Sequence, residues 1–327
     1  MASQSGNRAR MKAARAAMAL ALAGLWAAAV PAQDYPVKAV RFVVGSGPDV
    51  MARLVGQKLG ENWGQQFVIE QRPGAGGILA AETVAKAAPD GYTLLLSSGG
   101  YTINASLYSK LPYDLERDLA PVTLLSLLPL IMVVHPSVPA KSVSELVQLA
   151  RRRPGQLNCA SSGNGSTPHL ACELLKNTAK LDIVHVPYKG LAPAVTDTLS
   201  GQMQILFINP QFGIQHAKAG RLRALAVTSP ARAPSAPELP TVAEAGLPEL
   251  TFESWNGVHV PAQTPKAIVA KLNAGMIDVI RQPEVRERIA GMGLNPVGST
   301  PEVFAALIRA DIARWAKVIK ESKIRPE

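Results

Sequence analysis

Short apolar strands, each followed by a small-residue turn and then a helix, recur along most of this chain. That alternation restricts it to an α/β architecture with largely parallel sheets. Val40-Arg41-Phe42-Val43-Val44 turns at Gly45-Ser46-Gly47-Pro48 into a helix with Val50, Leu54, Val55 and Leu59 on one face. Residues 67–70 form a strand ended by Arg72-Pro73-Gly74-Ala75-Gly76-Gly77, which feeds a helix over 78–87. Residues 92–96 form another, ended by Ser97-Ser98-Gly99-Gly100.

An apolar run from Leu124 to Val134, broken by Ser126 and Pro129, leads to a Pro-rich link, and the capping box Ser142-Val143-Ser144-Glu145 opens a new unit. There the alternation repeats, with strands over 157–160, 183–186, 203–208 and 222–228 and helices over 167–178, 192–199 and 212–219. Pro-rich residues 230–248 follow, and 251–260 read as a strand returning to the first unit. Thr264-Pro265 and Thr300-Pro301-Glu302 open two helices, the last with Phe304, Leu307, Ile308, Ile312, Trp315 and Ile319 in one stripe that packs on the first unit. The expected division is a discontinuous first domain, 33–134 with 256–327, and a second domain, 135–255, joined by two crossings. Ligands of open α/β sheets sit beyond the carboxyl ends of the strands, so two such domains sharing a cleft have the build of a hinged solute receptor.

Residues 1–32 carry Arg8, Arg10, Lys12 and Arg15, an apolar run from Ala16 to Val30, and a small-residue exit at Val30-Pro31-Ala32. The run is shorter than the ~20 residues a spanning helix needs, so the segment reads as a cleaved secretory signal. Met1 and Met11 serve equally as its start. Without its four basic residues the formal charge falls from +10 to +6. The one tight basic run, Arg151-Arg152-Arg153, sits at a helix end where cations favour the dipole. With aromatics at 5%, stacking partners for nucleic acid are scarce, and that class is set aside.

Cys159 and Cys172 are the two cysteines of the chain, in a compartment that permits disulfides. They are either a bridge worth ~3 kcal/mol or two buried thiols. No His or carboxylate cluster at ligand spacing stands beside them, so no metal is expected, and no cofactor either: the third glycine of a dinucleotide loop is missing after Gly45-Ser46-Gly47. An exported hydrolase would want a Gly-x-Ser-x-Gly elbow or a His-Glu-x-x-His helix, and the sequence has neither.

The stretch from Asn158 to Leu191 is where chemistry concentrates. Ser161-Ser162-Gly163-Asn164-Gly165-Ser166 lies between a short strand and a helix opened by Thr167-Pro168, a turn that gathers free backbone N–H groups where a small anion can sit. A plain strand-to-helix connection uses the same residue types.

The ordered set Glu70–Gly77, Ala87–Leu95, Leu111–Asp114, Ala160–Ser166, His185-Val186-Pro187-Tyr188-Lys189-Gly190, Leu225–Thr228 and Leu239–Gly246 resembles the Bug family, the extracytoplasmic receptors of tripartite tricarboxylate transporters. The resemblance implies a periplasmic two-domain Venus-flytrap (type II periplasmic-binding-protein) fold without catalysis. It also implies a small carboxylate ligand: an amino acid, a di- or tricarboxylate, or an aromatic acid. Transporter membrane subunits are the implied partners, with a signalling protein as the alternative, and a monomer is expected. Position by position, Ser46, Asp49, Ser97 and Ser98 would contact ligand from the first domain. Ser161, Ser162, Asn164, Ser166, Thr167, Tyr188, Gly190 and Asn209 would do so from the second. His169 either joins them or is bonded within its own helical turn. The chain departs from the family pattern in a shortened Gly45–Asp49 turn and in Asn256, where an aromatic residue is common; either change enlarges the cleft.

Overall fold

The computed structural model describes residues 35–45, 49–233 and 236–326. The expected signal segment and Ser46 lie outside them.

The eleven strands of the described residues form two sheets, as the alternation requires. The first comprises β1 (Val40–Val44), β2 (Phe67–Gln71), β3 (Thr93–Ser98), β4 (Leu119–Leu128), β10 (Ser254–Pro261) and β11 (Asn295–Pro296), in the order β11-β4-β10-β3-β1-β2. The second comprises β5 (Ile131–Val134), β6 (Asn158–Ser161), β7 (Val184–Pro187), β8 (Ile205–Ile208) and β9 (Arg223–Val227), in the order β7-β6-β8-β5-β9. β1 runs parallel to β2 and β3, and β6 to β7 and β8, each through a helical crossover. The strands that arrive from the other sheet, β10 and β5, pair antiparallel with both neighbours. No helix among the described residues is long and apolar enough to cross a membrane.

Two local readings change. The apolar run 124–134 is not one element: Pro129, without an N–H to donate, separates β4 in the first sheet from β5 in the second. The first crossing therefore moves from the expected 134/135 to Pro129-Leu130. Residues 99–100, read as a loop, open helix α3 (Gly100–Leu107) directly after β3. Its N-cap is Gly99, which supplies no capping side chain, so the usual start signal is missing.

The final helix (Pro301–Glu321) follows its apolar stripe, but that stripe serves two cores. Phe304 and Ile308 pack beside Trp255 and Leu95 in the first, whereas Trp315, Val318 and Ile319 join the core of Leu170, Phe207 and Phe252 in the second. Edge-on aromatic pairs mark the two ends, Trp255 with Phe304 at 5.0 Å and Phe252 with Trp315 at 5.4 Å between ring centroids. Phe252 and Trp255 bracket the second crossing, so the last helix grips the chain where it passes between the sheets.

Candidate functional site

The second-sheet turn is built from the inside outward. Ser161, the last residue of β6, is fully buried, and its Oγ lies 2.7 Å from His185 Nε2 on β7. Gly163 N–H donates to the same Oγ at 3.2 Å, and Gly163 and Gly165 take positive φ to reverse the chain. Ser166 then caps helix α5 (Thr167–Ala179), its Oγ accepting from His169 N–H at 3.4 Å, while Gly165 N–H donates to His169 Nδ1 at 3.0 Å. The His169 and His185 rings stack at 3.7 Å with 8° between their planes. Beneath them Cys159 and Cys172 form a disulfide with their Cα atoms 6.2 Å apart, closing the turn at its base.

Burial holds both imidazoles neutral: His169 is lowered to about 4 and His185 to about 3. His169, Glu173 and His185 bring ligand-type atoms within 4.8 Å of one another. Lys176 Nζ pairs with Glu173 Oε1 at 2.6 Å, and Gly165 N–H of the turn donates to His169 Nδ1.

The first sheet offers a counterpart. Ser97 in β3 is buried, its Oγ 2.8 Å from His259 Nδ1 and 3.1 Å from Gly257 O on β10. Next to it α3 begins, with Gly99 N–H donating to Trp255 O. The Trp255 indole N–H donates to buried Asp311 Oδ2 at 2.7 Å, which fixes the ring; burial raises that carboxyl's pKa.

Between these turns lies a cavity of about 700 Å³. Ser97, Ser98, Gly100, Tyr101 and Asn104 line it from one side, Ser162, Asn164, Ser166, Thr167 and Gly190 from the other, and Ser254, Trp255 and Asn256 along the returning strand. The first turns of α3 and α5 thus meet at one cleft, and no charged side chain is among the described residues lining it. An anion there would be met by backbone N–H groups, hydroxyls and amides, the donors a helix N-terminus leaves unpaired.

Of the residues expected from the sequence, Ser97, Ser98, Ser162, Asn164, Ser166, Thr167 and Gly190 come together at the cleft. Ser46 lies outside the described residues, and the others have partners elsewhere. Asp49 pairs with Arg53 at 2.6 Å and accepts from Gln71 Nε2 at 2.9 Å. Ser161 and His169 lie under the turn rather than on it. Tyr188 donates its hydroxyl to Asp197 at 2.7 Å. Asn209 caps the helix Pro210–Lys218 and donates to Met292 O at 3.3 Å. Tyr101, Asn104, Leu107 and Tyr108 were not foreseen; their helical spacing, three to four residues apart, is the signal that could have found them once α3 is recognised.

Comparison with known proteins adds an independent line. The model of the tripartite tricarboxylate transporter family receptor, TctC, matches residues 51–324. Protein BugT of Bordetella pertussis (strain Tohama I) is 36% identical over 309 residues, 93% of this chain and 94% of that one. Among solved structures, R. palustris Rpa4515 with adipate is 36% identical, with a TM-score of 0.79 over 90% of this chain and all of that one. MatC (Rpa3494) from Rhodopseudomonas palustris with bound malate is 34% identical, with a TM-score of 0.74 over 87% of this chain and all of that one.

Proposed function

This chain belongs to the tripartite tricarboxylate transporter receptor family, which includes the Bug proteins, and on that premise we propose that it captures a small carboxylate in the cleft for uptake by membrane subunits of such a transporter. The observation that carries the reading is the lining itself: two helix N-termini from opposite sheets, hydroxyls and amides, and no charged side chain among the described residues that line it. That is a donor-rich wall that meets a carboxylate without a fixed counter-ion. The adipate and malate held by Rpa4515 and MatC support an acid of this size.

The chain would work in the periplasm, after removal of residues 1–32, as a hinged receptor with no chemistry of its own. Ser97 and Ser161 each touch a histidine but are 1% and 0% exposed, and among the described residues no carboxylate is hydrogen-bonded to His259 or His185. Hinge closure would occur where the chain changes sheets, at Pro129-Leu130 and Thr251–Glu253.

A thermal-shift series on the mature protein with amino acids, di- and tricarboxylates, aromatic acids and neutral sugars tests this. An acid at 100 times its dissociation constant stabilises by roughly 2.7 kcal/mol, and small-angle scattering should show compaction with the same acid. Stabilisation by sugars and by no acid would overturn the reading.

A further inference from the structure

Two of the chain's five histidines stand face to face beneath the second-sheet turn, and a buried carboxylate shares the space with them. His169 and Glu173 are one turn apart on α5, with His169 Nε2 3.9 Å from Glu173 Oε1, and His185 arrives on β7. Two ligands of one tetrahedral zinc ion, each about 2 Å from the metal, stand roughly 3.4 Å apart. The three residues here each offer a nitrogen or an oxygen, all within 4.8 Å of one another. Two imidazoles and a carboxylate are the donor set of an open zinc site, and they also suit copper and nickel, whereas magnesium and calcium take oxygen ligands. Spacing along the chain hides this group, because its third member comes from the next strand.

Both imidazoles are neutral near pH 7, the state a metal ligand needs. Ser161 Oγ donates to Gly163 O at 3.2 Å, so His185 Nε2–H donates to Ser161 in turn and His185 Nδ1 keeps its lone pair. His169 is held the other way: its Nδ1 accepts from Gly165 N–H, and its Nε2, on the Glu173 side, carries the proton. An ion on Nε2 moves that proton to Nδ1, which can then no longer accept from Gly165. Ring lone pairs lie in the ring planes, and these are 8° apart, so one ring must tilt out of the stack to share an ion. His185 is the freer of the two, half-buried on an edge strand of its sheet. Lys176, on Glu173 Oε1, is the cation with which an arriving ion competes.

We propose that His169, Glu173 and His185 form a second binding site, for a divalent transition-metal ion of the zinc class, filled with loss of the hydrogen bond between Gly165 and His169. Gly165 lines the cleft, so the ion reaches the turn of the candidate ligand site from beneath. Filling the site stabilises the folded chain by mass action while it loosens residues 163–166. Lys176 sets how readily this happens, because it neutralises Glu173 when the ion is absent. The site makes no assumption about which acid the cleft holds, or whether it holds one.

Titration calorimetry and thermal shift of the tag-free mature protein with zinc chloride, and with magnesium chloride as control, test the site. The wild type should bind one zinc ion, melt higher with it and ignore magnesium. With zinc, hydrogen exchange should quicken at 163–166 although the protein as a whole is more stable. Glu173→Gln and His185→Gln should each weaken zinc binding by more than about tenfold, the loss expected even for an outer-shell partner. Lys176→Met removes the competing cation and no ligand. It should melt lower without zinc, bind zinc severalfold more tightly, and recover its melting temperature when loaded. Absence of zinc binding by the wild type, undiminished binding in His185→Gln, or unchanged affinity in Lys176→Met overturns the site, and exchange that slows at 163–166 overturns the loss of the Gly165 bond. Should Glu173→Gln or His185→Gln fail to fold, Lys176→Met and the wild-type exchange pattern decide alone.

Discussion

Each side of the cleft is built on a Ser-Ser pair at the end of a strand inside its sheet, and the two pairs are supported differently. In Ser97-Ser98 and in Ser161-Ser162 the first serine is buried against a histidine and the second faces the cavity. On the second sheet that histidine, His185, is 24 residues from its serine, is stacked on His169, and sits on β7 opposite Cys159, whose disulfide to Cys172 closes the neighbouring turn. On the first sheet His259 is 162 residues from Ser97, its other ring nitrogen has no partner, and no cross-link lies beneath. One half of the site is held by its own neighbourhood along the chain. The other half exists only once β10 has returned from the second sheet and docked beside β3.

The largest expected effect comes from breaking the local brace. Replacing Cys159 and Cys172 together with alanine should lower unfolding free energy by about 3 kcal/mol in urea. Hydrogen exchange should quicken at 161–166 and stay as it was at 97–100. Equal quickening at both turns would show that the disulfide braces the whole cleft, and the contrast between the two sides would fail.

A smaller difference should separate the two buried serines. Ser97→Ala leaves His259 with no partner on either nitrogen, whereas Ser161→Ala leaves His185 stacked on a ring that the turn still holds. The first substitution should destabilise by about 2 kcal/mol and the second by about 1 kcal/mol. Matching values from parallel urea titrations would mean that the stack gives His185 no support.

That contrast also sets what could be read from the sequence. The second-sheet turn was legible because its parts are local: a strand, two positive-φ glycines, the Ser166 cap and Thr167-Pro168 at the first helical positions. The first-sheet half was legible only as Ser97-Ser98. Its helix begins on glycines without a capping side chain, which hid Tyr101 and Asn104, and its support comes from Gly257 and His259, which no local pattern ties to Ser97. Asp49, Tyr188 and Asn209 have the right residue types at plausible turns, yet each is taken by an ion pair, a hydrogen bond or a helix cap that periodicity cannot reveal. Pro129 was visible as a break, but not as the point where the chain leaves one sheet for the other.

Acid should separate the two supports by the smallest margin. His185 has a folded pKa of about 3, set first by burial and then by the positive charge His169 and Lys176 would present to its protonated form. In the unfolded chain it titrates near 6.5, so between those values the unfolded state binds the proton that the folded state refuses. Stability is therefore complete above pH 6.5 and is lost as pH falls towards the folded value. His169 and His259, lowered by burial to about 4 and about 3, act in the same direction. His185→Gln keeps an amide within reach of Ser161 but takes up no proton. Between pH 7 and 5.5 it should lose about 1 kcal/mol less stability than the wild type, a figure already reduced for partial solvent screening. The slope that remains in the variant belongs to His169, to His259 and to the other groups shifted on folding, His216 in the same direction and Glu253 and Asp311 in the opposite one. Parallel pH profiles for wild type and variant would mean that His185 is protonated in the folded protein, and that the stacked pair is not the neutral brace its hydrogen bonds describe.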